Sequence, residues 1–157
     1  MLKKMGKRLK DQRGLTLVEL LAVVVILGII SAIAIPSIGG LIDNAKKDAH
    51  VGNAQQMINS AKIAISGDSS LVPDGATPVI LSLQYLQEQG YIEKLKDPDK
   101  DEYKPGDSKT DSTESHVEIT GSTNNNLIYK VKLLNSKRGI DLTPEEDLKR
   151  ESVKKVE

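Results

Sequence analysis

From Leu15 to Ile35 the chain reads LTLVELLAVVVILGIISAIAI, 21 residues whose only charge is Glu19. At about 1.5 Å rise per residue, a helix of that length crosses a bilayer core of about 30 Å. The pattern therefore predicts a membrane-spanning helix over 15–36. Pro36 and the pair Gly39-Gly40 follow at once, and proline removes a helical hydrogen bond, so the helix is expected to end or weaken there. Beyond this point Leu41, Ile42, Ala45, Ala49, Ala54, Met57, Ile58, Ala61, Ala64 and Ile65 recur at three- and four-residue steps, with Asp43, Lys46, Lys47, Gln55, Gln56 and Lys62 off that stripe. That periodicity predicts an amphipathic helix over 37–65, its thin alanine-rich face lying against a head domain.

The breakers Ser66-Gly67-Asp68-Ser69-Ser70 and Pro73-Asp74-Gly75 then open a head over 66–157. Ile80, Leu81, Leu83 and Leu86 predict a short helix closed by Gly90. Residues 97–115 are polar without periodicity and read as an acidic surface loop. Residues 116–120 and 126–134 alternate at period two around the turn-forming stretch 121–125, which predicts a β-hairpin. A third strand is expected around Glu102-Tyr103-Lys104 or Ile140-Asp141-Leu142, because a two-stranded ribbon alone is marginal. Thr143-Pro144-Glu145-Glu146 has the form of a helix start, with Thr at the N-cap, Pro at the first position and Glu at the third, and predicts a C-terminal helix of about ten residues. The fold class is α+β, a long N-terminal helix packed on a small antiparallel sheet.

Charge sharpens the membrane reading. The 157 residues hold 22 basic and 22 acidic side chains, but they are segregated: residues 1–13 carry six Lys/Arg against one Asp, residues 14–42 carry only Glu19, and the remainder is net acidic. A basic leader before the apolar run keeps the N-terminus cytoplasmic and sends the head outside. The run is too long for a secretory signal peptide, and no small-residue cleavage site follows it. An acidic head argues against nucleic-acid binding as the main activity. With no cysteine, disulfides, thiol nucleophiles and thiolate metal sites are excluded. His50 and His116 belong to no recognisable triad or metal set, and neither a P-loop nor G-x-S-x-G occurs, so no enzyme is expected. Asp97, Asp99 and Asp101 alternate like the first ligands of an EF-hand loop, yet the sixth position is Glu102 and the twelfth Ser108, so that match fails.

Glu19 is the anomaly, since a carboxylate within an apolar span costs a few kcal/mol unless paired or neutralised. Thr16-Leu17-Val18-Glu19 fits a capping box, which places the acid in the first helical turn. The alternative is a partner amine created nearby on another chain.

Arg13-Gly14-Leu15-Thr16-Leu17-Val18-Glu19-Leu20-Leu21, with its basic leader and long apolar run, resembles the class III signal of type IV prepilins and pseudopilins. The resemblance implies that a prepilin peptidase removes residues 1–14 by cutting after Gly14, that Leu15 becomes the N-methylated terminus, and that Glu19 pairs with the terminal amine of an adjacent subunit. The common residue after the cut in that family is Phe, where this chain has Leu15. The family also places at Pro36 the point where the long helix bends or melts in a filament. Leu81–Ile92 followed by Asp97-Pro98 resembles a segment of major pseudopilins and competence pilins. A cysteine-free head is similar to those of some Gram-positive pilins and leaves open how the C-terminal segment is fixed.

The function implied is that of a structural subunit for a pilus, competence pseudopilus or type II secretion pseudopilus. Its partners would be the peptidase, further copies and minor pilins, an inner-platform protein, the assembly ATPase and the membrane. DNA as a partner would rest on the family and not on charge. No cofactor is expected; calcium, which major pseudopilins hold in an acidic loop, has its candidates here in Asp97, Asp99 and Asp101. The expected location is the cell membrane before assembly and a surface filament after it. The competing reading is an uncleaved single-pass anchor that displays an extracellular binding module.

Overall fold

The computed structural model describes residues 16–74, 77–121 and 126–156. Gly14, Leu15 and residues 122–125 of the expected hairpin turn lie outside them. The chain divides into two compact units, one ending at Leu41 and the other running from Ile42 to Glu157.

Helix α1 covers Leu17–Gly67 and contains Pro36. Of the two readings of Pro36, a helix end and a weak point within one long helix, the end is not found: a proline costs the bond its missing N–H would make, and the helix carries on through Gly39 and Gly40 into the amphipathic half. In the first unit the large apolar side chains of α1 are exposed, from Leu17 at 82% to Leu41 at 69%.

The second unit is the head. Its strands are β1 (Val79–Ser82), β2 (His116–Gly121), β3 (Leu127–Leu134), β4 (Arg138–Pro144) and β5 (Val153–Lys155), ordered β1-β2-β3-β4-β5 and antiparallel throughout. The β2–β3 pairing sets Val117 opposite Val131 and Ile119 opposite Tyr129. The inward side chains Leu81, Val117, Ile119, Val131, Leu133, Ile140 and Val153 form one core with Ala54, Met57, Ile58, Ala61 and Ala64 of α1. The small alanines let helix and sheet approach closely, as the α+β reading requires.

Burial on α1 starts later than the apolar stripe predicts. Leu41, Ile42, Ala45 and Ala49 are exposed, and the first buried residue is His50. Between residues 43 and 50 α1 turns charges to the head instead: Asp43 meets Arg138, Lys46 meets Asp99 and Asp48 meets Arg150, while Lys47 pairs with Asp43 on α1 itself.

Two other expectations are corrected, and one left open between two segments is decided. Val79 to Ser82 form a strand, and α2 (Leu83–Glu88) begins only after it; the Ser82 hydroxyl caps α2 by accepting from Tyr85 N–H at 3.1 Å. The β-branched pair Val79-Ile80 gains a ladder with β2 that a helix would forgo. The third strand comes from the Ile140 region, as β4, while Glu102 to Lys104 form no strand. The C-terminal helix does not form. Its expected cap, the Thr143 hydroxyl, instead donates to Asp141 C=O at 2.6 Å, and Thr143-Pro144 ends β4. Glu145–Asp147 and Arg150–Ser152 are single 3₁₀ turns, and the chain returns as β5, burying Val153 opposite Ile140. Burying a valine in the core outweighs the weak propensity of an uncapped short helix.

Gly90 closes α2 as expected. With φ at 73° it takes the left-handed conformation open to glycine, Tyr91 N–H reaches Leu86 C=O at 2.9 Å and Gly90 N–H reaches Gln87 C=O at 3.1 Å, a Schellman end.

Candidate functional site

At the start of α1, Thr16 and Glu19 form the capping box. Thr16 N–H and Thr16 Oγ1 both donate to Glu19 Oε2 at 2.8 Å, and Glu19 N–H donates to Thr16 Oγ1 at 3.2 Å. The carboxylate thus has two donors from its own chain and keeps Oε1 free of them. After it runs an apolar helix long enough to cross a membrane, none of whose most apolar stretch is buried in the fold.

In the head, α1 meets the acidic loop and the β3–β4 turn around a buried polar cluster. His50 Nε2 lies 3.0 Å from Asp99 Oδ2 and 4.0 Å from Asp97 Oδ1. Tyr103 Oη lies 2.7 Å from His50 Nδ1, with the two rings edge to face. The direction of the bonds can be worked out. Asn53 Nδ2 contacts both Lys96 C=O (3.0 Å) and Tyr103 Oη (2.9 Å); a carbonyl only accepts, so Asn53 donates to the phenol. The Asp99 carboxylate only accepts, so His50 Nε2–H donates to it, and in the neutral ring Nδ1 is then the acceptor for the Tyr103 proton.

Positive side chains complete the cluster. Asp99 takes Lys46 Nζ at 3.1 Å and Arg138 Nε at 2.9 Å, and Arg138 Nη2 continues to Asp43 Oδ1 at 2.6 Å, where Lys47 also arrives. Three carboxylates (Asp43, Asp97, Asp99) face three cations (Lys46, Lys47, Arg138), so the cluster is balanced by the protein itself. Burial pushes the Asp99 carboxyl up, but the bonds from His50 and Lys46 and the Arg138 charge outweigh it and hold Asp99 below the usual range. The hydrogen bonds from Arg138 and Lys47 lower Asp43 to about 2. Burial pushes the Tyr103 phenol up.

The calcium candidates are separated by this arrangement. Asp97 accepts from Asn135 Nδ2 at 2.5 Å and Asp99 N–H at 2.7 Å, Asp99 takes the cations, and Asp101 turns away to the Ser136 N–H and hydroxyl. His50, Asp97 and Asp99 do place three ligand-type atoms within 4.8 Å of one another. Arg138 and Lys46, however, already pair with Asp99 where a metal's charge would go, and Asn135 takes Asp97. Only Asp97 and Asp99 among these residues were singled out by sequence; His50, Asn53, Tyr103, Asn135 and Arg138 come from segments far apart and carry no local signal, apart from the Asp97-Pro98 dipeptide in the pseudopilin-like stretch.

The comparisons bear on the N-terminal site. Residues 9–35 match the family model of the prokaryotic N-terminal methylation motif. The chain carries the class III signal of type IV pilins and pseudopilins. The match holds Gly14, Leu15 and Glu19 and ends one residue before Pro36, so it covers the last six residues of the expected leader and the apolar stretch and none of the head. No curated protein and no solved structure matches the chain significantly. The motif and the apolar helix behind it support a membrane-anchored precursor of the prepilin type, and the motif implies processing by a prepilin peptidase and assembly into a pilus. The motif marks a family of structural subunits. The long helix on a five-stranded antiparallel sheet is an α+β architecture consistent with a pilin-like fold.

Proposed function

We propose that this prepilin is a structural subunit of a type IV pilus or a related pseudopilus, cut after Gly14, methylated on the new Leu15 amine and assembled through packing of its apolar helices. The observation that carries this reading is the methylation motif at residues 9–35 in front of an unburied apolar helix. In the membrane the exposed face of α1 is covered by lipid; in a filament the helices of neighbouring copies would cover it, with the heads outside. Glu19 would exchange or share its Thr16 donors for the Leu15 ammonium of an adjacent copy, which neutralises both groups in an apolar core. Competence, secretion, adhesion and motility are the services such a filament could perform.

A second reading has one observation in its favour. The closed Thr16–Glu19 box satisfies the carboxylate within its own chain, as an uncleaved anchor displaying the head would need. The N-terminal peptide mass of native protein, from sheared surface material and from membranes, separates the two. A surface peptide that starts at Leu15 and carries one added methyl group supports the subunit. An intact Met1 terminus confined to membranes supports the anchor and overturns the subunit reading.

A further inference from the structure

We draw no further inference here: the strongest candidate, the buried His50–Asp97–Asp99 cluster between α1 and the acidic loop, carries nothing because Lys46, Arg138 and Asn135 already satisfy its carboxylates and no second observation points to a ligand.

Discussion

Arg138 on β4 reaches back 95 residues to Asp43 on α1, with Nη2 2.6 Å from Oδ1. The same guanidinium holds Asp99 through Nε, so one side chain ties the helix, the acidic loop and the sheet together. The C-terminal segment has further ties of this kind: Arg150 is bidentate to Asp48, at 2.7 and 2.6 Å, and Glu145 accepts from Lys62 at 2.7 Å and Gln55 at 2.8 Å. These links, with the β4–β5 ladder, fix the tail of a head that has no cysteine.

Replacing Arg138 by alanine should therefore cost the head roughly 2–4 kcal/mol, because it strands the buried Asp99 carboxylate as well as removing the bridge. Arg150→Ala, at an exposed and solvent-screened pair, should cost far less. Urea denaturation of the full chain in detergent, followed by tyrosine fluorescence, gives both values. Equal losses for the two variants would mean that Arg138 has no special place.

Acid should loosen the same head. Asp43, at about 2, and Asp99 and Glu145, both lowered, bind protons less readily folded than unfolded. The unfolded chain thus takes up more protons in acid, and stability present above the unfolded carboxylate range of about 4 is lost as pH falls towards about 2. The melting temperature recorded from pH 7 to pH 2 should drop mainly below about pH 4, and Asp43→Asn should make that drop shallower. A flat profile over the acid range would count against the ion-pair account.

The acidic loop holds one residue in an unfavourable conformation. Lys100 has φ at 56°, the left-handed region where a side chain costs roughly 1 kcal/mol or more, and its N–H reaches Asp97 C=O at 3.3 Å. The turn is held because Asp99 points into the cluster while Asp101 points to Ser136. Lys100→Gly should relieve that cost, part of it being offset by the greater freedom of glycine in the unfolded chain, for a net gain of roughly 0.5 kcal/mol. Thermal melts of the two proteins at equal concentration decide the sign; a lower midpoint for the glycine variant would show that the turn is not strained.

How far the sequence carries depends on the range of the interactions that decide each element. The α1 periodicity, the hairpin strands and the Gly90 cap are set by neighbours within a few residues, and they are where local pattern places them. The C-terminal helix fails for the opposite reason: Val153 meets Ile140 across a β4–β5 pairing that no local pattern reports, and Thr143 spends its hydroxyl on Asp141. The outward turn of Leu41, Ile42, Ala45 and Ala49 is likewise decided by distant partners, Arg138 and Asp99, which draw Asp43 and Lys46 to the head side. Glu19 was legible because one acid in an apolar run is costly wherever the rest of the chain lies.

That cost makes Glu19 the residue on which assembly should depend. Glu19→Val removes the acceptor of the Thr16 box, but it also makes the span more apolar, so insertion into the membrane should be unimpaired. What the variant loses is the only acid among residues 14–42 able to meet a neighbour's ammonium inside a helix bundle. Cells producing only this variant should hold normal amounts of it in the membrane fraction and shed little or none on shearing. Both fractions can be read from one immunoblot. Loss from the membrane fraction as well would make Glu19 a folding or insertion residue, and undiminished surface material would remove the ammonium pairing from the assembly mechanism.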